Sequence, residues 1–286
     1  MKGPLLPLLC VMLLAGCDVV DAPIPPATGD GGGTATDTLK RRVLLEEFTG
    51  HHCNNCPASH EVSAQLDALY GDRLVLVGIH AISNFNSSLI APASPPNSDG
   101  SYATDFRTTE GQAWANSFSV LFLPTGMVNR TMVNNSITIG SGGWSTAVAD
   151  MLSQNAECDV WVSDLQHNSG TNTVSATVKV AVLQTVTGTH NLTVDLTEDH
   201  ITDWQLNSVT DIPDYDHRHV FRKCLNSAWG DPIDLASANV GDTLTATFTN
   251  IPMDPTWNAT NCALVAYVYN TATNEVLQVN ERKFQP

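Results

Sequence analysis

Glu47-Phe48-Thr49-Gly50-His51-His52-Cys53-Asn54-Asn55-Cys56-Pro57 is the stretch on which the reading of the whole chain turns. A mostly apolar run, Arg42-Val43-Leu44-Leu45, leads into it, and a helical pattern opens at Pro57, so two cysteines stand where a strand passes into a helix. Free backbone N–H groups and the positive end of the helix dipole favour a thiolate at such a junction, which lowers the pKa of the first cysteine. On the far side, Val62, Leu66 and Leu69 recur at helical spacing as far as Gly71, and Leu74-Val75-Leu76-Val77-Gly78-Ile79 is the near-continuous apolar run of a strand covered on both faces. These segments make a βαβ unit with parallel strands.

Outward from this unit the chain divides by composition. The N-terminus carries Lys2 and then the apolar run Leu5 to Leu14, too short to span a bilayer and shaped like a secretory signal, with Leu14-Ala15-Gly16-Cys17 at the cleavage region. Residues 1–16 are thus expected to be a lipoprotein signal peptide. Residues 17–38, with Pro23-Ile24-Pro25-Pro26 and Gly31-Gly32-Gly33, read as a lipidated flexible tether whose attachment point is Cys17.

Residues 39–156 hold the βαβ unit and its continuation. His80 to about Thr104 is irregular and leaves the same sheet edge as the cysteines, where it would form a lid or recognition lip or a plain surface insertion. Asp105 to Phe118 has helical spacing. Val120-Leu121-Phe122-Leu123-Pro124-Thr125-Gly126-Met127-Val128 is expected to be a strand interrupted by proline, which signals an edge or a special bond. A strand at Ile137 to Ile139 and a helix from Trp144 to Leu152 follow. After Cys158 the period becomes two, with Val174, Ala176, Val178, Val180 and Val182, then Leu192 to Leu196, Leu244 to Phe248, Leu264 to Val268 and Val276 to Val279. Residues 157–286 are therefore expected to form a β-sandwich, with a boundary near Ala156.

The formal net charge of −16 over 286 residues argues against nucleic acid and anionic membrane surfaces as partners. Of seven cysteines, Cys10 leaves with the signal and Cys17 takes lipid, leaving an odd five in a disulfide-permissive compartment. If Cys53 pairs with Cys56, one further bridge is expected. Cys224 with Cys262 is the preferred pair because both fall on predicted strands, and Cys158 is able to replace either.

C-x-x-C in a βαβ context in an exported chain reads as a thioredoxin-like redox motif. Exchange needs a thiolate, a resolving thiol and an acid–base group. His51 and His52, when protonated, would stabilise the thiolate. Two other readings compete: a permanent disulfide that staples the junction, and a metal site built from Cys53, Cys56 and one of His51, His52 or His60. In Asp214-Tyr215-Asp216-His217-Arg218-His219 the two histidines would share a strand face, but a solvated loop is the better reading. No metal or other cofactor is therefore assigned.

Glu47-Phe48 through Cys56-Pro57, with Leu123-Pro124-Thr125, resembles the thioredoxin superfamily. The resemblance implies Cys53 as attacking thiol, Cys56 as resolving thiol, Glu47 as proton acceptor for Cys56, and Pro124 as a cis-proline shaping the substrate groove. His52 stands where that family usually has tryptophan, so a redox potential does not carry over. More narrowly, the Cys17 region, Leu45-Glu46-Glu47-Phe48-Thr49-Gly50, Cys53-Asn54-Asn55-Cys56-Pro57-Ala58, Pro124-Thr125, Asn129-Arg130 and the tail Tyr267-Val268-Tyr269-Asn270 through Gln278 are similar to the outer membrane protein 28-related lipoproteins. This implies an α/β thioredoxin-like domain followed by an all-β immunoglobulin-like sandwich domain, lipid-anchored at the outer membrane. Two functions follow as expectations: thiol–disulfide exchange on exported proteins, or a non-catalytic surface binding protein or adhesin in which Cys53–Cys56 is structural.

Overall fold

Strand β1 (Val43–Thr49) is buried along its whole length because it lies between two parts of the core. Alternate side chains of a strand point to opposite faces. Leu44 and Phe48 accordingly join a cluster with Trp114, Met127 and Tyr267, whereas Val43 and Leu45 join one with Leu66, Trp144 and Val148. The structure, a computed structural model, describes residues 39–82, 92 and 96–284. The expected signal peptide and the whole of the expected tether, including Cys17, lie outside them.

Helix α1 (Cys56–Tyr70) follows β1 with Pro57 in its first turn and ends at Gly71, whose positive φ of 54° is one that glycine adopts without penalty. Strand β2 (Leu74–His80) then pairs with β1 in parallel, as the βαβ reading requires. Helix α2 (Thr109–Ser117) is shorter than the periodicity suggests because Thr108 caps it, its hydroxyl accepting from the Gly111 amide. The expected proline-interrupted strand is corrected: β3 (Thr125–Val128) begins only after a cis Leu123–Pro124 bond and runs antiparallel to β1. Ile137 to Ile139 forms no strand, only a bridge between Gly126 and Ile139. Helix α3 (Trp144–Leu152) matches its expected range.

The remaining described chain is β. Strands β4 (Cys158–Asn168), β5 (Thr173–Val182) and β11 (Thr243–Pro252) form a three-stranded sheet. Strands β6 (His190–Glu198), β9 (Val220–Cys224), β10 (Asp231–Ile233), β12 (Cys262–Asn270) and β13 (Val276–Lys283) share a sheet with β1 to β3, in the order β13-β12-β6-β9-β2-β1-β3, with β10 beside β6. Strands from both sides of Ala156 thus lie in one sheet, joined where the Gly78 amide donates to the His219 carbonyl at 2.7 Å. A Cβ at Gly78 would stand 3.3 Å from the Arg218 carbonyl oxygen, so the close approach of β9 favours glycine there. The small sheet packs its valines against Leu192, Val194, Leu196, Leu264, Ala266 and Val268, a sandwich with a dry interior. The other face of β12 carries Val265, Tyr267 and Tyr269 into the cluster that holds Cys53 and Cys56. A separate hairpin, β7 (Ile201–Asn207) and β8 (Thr210–His217), belongs to neither sheet.

The expected Cys224–Cys262 bridge is corrected. Cys158, Cys224 and Cys262 are buried free thiols. Cys224 on β9 pairs with Asp195 of β6, and Cys262 on β12 pairs with Glu198 of β6, so the two cysteines flank β6 on opposite sides. Two strand spacings across and three residues along β6 put their Cα atoms on the order of 14 Å apart, beyond the reach of a disulfide.

A buried ion pair of the N-terminal part reaches across to β12. Arg130 donates from Nε and Nη2 to both oxygens of Glu46 at 2.8 and 2.6 Å, and from Nη2 to the Tyr267 hydroxyl at 2.8 Å, with both charged residues fully buried. Removing one partner strands the other charge in the core. Arg130→Ala is therefore expected to lower unfolding free energy by about 3–5 kcal/mol in urea denaturation, and Glu46→Leu with Arg130→Met to recover most of it. A loss below about 1 kcal/mol for the single variant would sink this account.

Candidate functional site at the strand–helix junction

Gly50 to Asn55 connects β1 to α1 in a tight turn: the Cys53 amide donates to the Gly50 carbonyl at 3.1 Å and the Cys56 amide to the Cys53 carbonyl at 3.2 Å. This winding brings Cys53 and Cys56 together, with Cα atoms 5.4 Å apart, and they form a disulfide. Both are buried, at 1% and 0% exposure. Leu123, just before the cis bond to Pro124, packs in the same apolar cluster as both cysteines, and Leu121 and Phe122 are left exposed on that loop.

Glu46 and Glu47 are adjacent, so they point to opposite faces of β1. Glu46 takes the Arg130 side. Glu47 instead faces α1, where Ser63 Oγ donates to its Oε2 at 3.2 Å and His60 Nε2 lies 3.7 Å from its Oε1. No cation neutralises it there, and burial pushes its pKa up from 4.5 to about 8 despite the Ser63 bond. His60 also bonds Thr49 Oγ1 at 2.9 Å and the Tyr215 hydroxyl at 2.6 Å, so the acid belongs to a chain of polar groups reaching hairpin β7–β8. Burial, with His217 and His219 nearby, holds His60 near 3.

The expectation that His51 and His52 supply positive charge is corrected at neutral pH. Burial lowers both, His51 to about 3, so both rings are neutral. His51 is one of three buried imidazoles packed together, with ring centres 5.3 Å from His80 and 4.9 Å from His217, and Phe106 fills the remaining side at 4.7 Å. His217 and His219 do not act together: His217 turns into this cluster, whereas His219 pairs with Asp199 at 3.3 Å. Among the described residues no group of three or more His, Cys, Asp or Glu side chains is arranged to hold a metal ion.

Several contributors carry no local sequence signal, because they arrive from the distant hairpin. Gln205, fully buried, donates from Nε2 to the carbonyls of Gly50 and Cys53 at 3.2 and 3.1 Å. The Leu206 amide donates to the His51 carbonyl and the Ser208 amide to the Asn54 carbonyl, each at 2.8 Å. Tyr102, from the described part of the expected lid loop, stacks 4.1 Å from His52 and donates its hydroxyl to Asp211 of β8 at 2.6 Å. The arrangement is a buried disulfide whose turn is held by a hairpin, with a buried acid on the strand that leads into it.

No curated protein matches the chain by sequence. Among solved structures, HBP35 of Porphyromonas gingivalis shares the fold, with a TM-score of 0.62 and 16% identity over 87% of this chain and 77% of that one. Protein AGR_C_4864 from Agrobacterium tumefaciens aligns with a TM-score of 0.49 and 11% identity, over 88% of this chain and 99% of that one. A domain of the outer membrane lipoprotein Omp28 from Porphyromonas gingivalis aligns with a TM-score of 0.31 and 22% identity, over 46% and 98%. No helix among the described residues is long and apolar enough to cross a membrane. The family described as outer membrane protein Omp28 matches residues 111–286, from within α2 through β13 and so across both sheets, and on that match the chain belongs to the Omp28 family of outer membrane proteins.

Proposed function

We propose that this outer-membrane protein is lipid-anchored through Cys17 and exchanges disulfides with exported proteins through a thioredoxin-like Cys53–Cys56 site. The observation that carries the reading is the Cys53–Cys56 disulfide at the passage from β1 into the start of α1, with Glu47 buried on that strand and its pKa pushed up to about 8 by burial. From the oxidised state, a substrate thiolate attacks Cys53 Sγ, the Cys53–Cys56 bond breaks, and Cys56 leaves as a thiolate that takes a proton from Glu47. A second substrate thiolate then displaces Cys53 as a thiolate, so the substrate dithiol becomes a disulfide and the protein gains two electrons, while the two protons the substrate thiols released to water are taken up from water by Glu47 and Cys53. In the reverse direction Cys53 attacks, Cys56 resolves and Glu47 accepts the proton. The cis Pro124 loop, with exposed Leu121 and Phe122, offers the substrate an apolar shelf.

One observation favours a second reading. Both sulfurs are buried, as suits a staple in a non-catalytic surface binding protein. An insulin reduction assay separates the two: Cys53→Ser should fall to background, and activity equal to wild type leaves only the binding protein.

Glu47 also makes a pH signature. Its folded pKa lies above its ordinary value, so its contribution is fully present below pH 4.5 and is lost as pH rises towards 8. Glu47→Gln should therefore gain on the order of 2–4 kcal/mol over wild type at pH 8 and almost nothing at pH 5, while slowing exchange at least tenfold. Equal effects at both pH values would remove Glu47 from this role. Intact-protein mass should show lipid on the mature wild-type chain and none on Cys17→Ser, and lipid on the variant would discard the anchor.

A further inference from the structure

The turn that carries Cys53 is held by a particular element. Hairpin β7–β8 pairs with no other strand, yet it holds the Gly50–Asn55 turn through four donors: the Leu206 amide, the Ser208 amide and two bonds from Gln205 Nε2. These bonds end on the carbonyls of Gly50, His51, Cys53 and Asn54, so the hairpin lies along the segment that carries the attacking sulfur. In this arrangement Cys53 is 1% exposed.

Beneath the hairpin lie His51 from the turn, His80 from the end of β2 and His217 from the end of β8. Their ring centres are 4.9 to 5.7 Å apart. Neither ring nitrogen of His51, nor Nδ1 of His80, has a hydrogen-bond partner among the described residues. His217 donates from Nε2 to the Trp204 carbonyl of β7 at 3.3 Å. The cluster therefore spans the moving part and the fixed part.

We propose that hairpin β7–β8 is a lid over the Cys53–Cys56 pair, latched by Gln205 and released by acid through the imidazoles of His51, His80 and His217. All three are held below the ordinary value of 6.5, chiefly by burial: His51 at about 3, His217 at about 4 and His80 well down. The charged and titratable neighbours are known. His52, Asp203 and Asp105 face His51; Arg222 and His60 face His80; Asp203, Asp216 and Arg222 face His217. The carboxylates pull upward, but desolvation and mutual repulsion win. For a base whose closed-state pKa is depressed, the closed state binds fewer protons than the open one below pH 6.5. Closure is therefore favoured at neutral pH and lost as pH falls, on the order of tenfold per imidazole by pH 5. What the lid controls rests on the exchange function proposed above; the lid itself does not.

The test measures reduction of Cys53–Cys56 in the full mature chain by a water-soluble phosphine, relative to an unstructured peptide disulfide under the same conditions. Hydrogen exchange at the Leu206 and Ser208 amides, corrected for intrinsic rates, is followed in parallel. Relative reduction is expected to rise at least tenfold from pH 7.5 to pH 5, with both amides losing protection. Gln205→Ala should be fast already at pH 7.5. His217→Gln keeps a donor for the Trp204 carbonyl but cannot titrate, and should lose much of the acid response. A wild-type rate that does not change with pH, or an acid response that survives in a His51, His80 and His217→Gln triple variant, overturns the proposal. Insulin turnover is scored separately: its absence beside an intact acid response removes the exchange reading and leaves the lid standing.

Discussion

The buried Arg130–Glu46 pair is the constraint from which much of the architecture follows. Taking two charges out of water costs several kcal/mol for each ion, and the cost is offset only where geometry is good and the remaining donors are used. Here the pairing is bidentate, a further donor meets Tyr267, and the guanidinium lies 5.0 to 5.9 Å from the ring centres of Trp114, Phe118, Tyr267 and Tyr269. One side chain therefore gathers β1, α2 and β12. Asn129 and Arg130 both adopt positive φ, at 46° and 52°, a conformation that non-glycine residues hold only when their surroundings enforce it. Asn129 is enforced by its bonds: its amide donates to the Leu44 carbonyl, its Oδ1 accepts from the Leu44 amide, and its carbonyl accepts from Val276.

With β1 anchored on one face by Glu46, Glu47 is turned to the other. Glu47 then has α1 above it and no cation beside it, and the low-dielectric surroundings keep its proton on. Two adjacent glutamates so take opposite electrostatic fates from the pleat of a single strand. The polar chain from Glu47 through His60 to Tyr215 runs to hairpin β7–β8, the element bonded to the turn that carries Cys53.

The large sheet explains how a β-rich segment comes to serve a site at the other end of the sequence. Strand β12 is buried on both faces, one in the sandwich and one against the cysteine cluster. Both of its faces are apolar for that reason: Leu264, Ala266 and Val268 on one side, Val265, Tyr267 and Tyr269 on the other. Strand β9 then reaches β2, and the hairpin that precedes it is left above the Gly50–Asn55 turn.

Local pattern alone determined the β1-α1-β2 unit, the cysteine pair at its junction and the alternating strands of the sandwich, because each rests on contacts between near neighbours or on a simple period. At Pro124 the local pattern left an edge strand and a special bond both open, and the cis bond was implied by the thioredoxin-superfamily resemblance. What tertiary structure decided was everything that depends on which distant residue arrives. Cys224 and Cys262 both lie on strands, yet β6 runs between them, so neither finds a sulfur. The cluster of His51, His80 and His217 draws its rings from three separate elements, and the neutrality of His51 comes from burial that no local motif encodes. Gln205 sits in an unremarkable strand and acquires its role only because the hairpin folds back over Cys53. The pair itself was readable from eleven residues; the hairpin bonded to its turn and the acid's raised pKa were set by what packs around it.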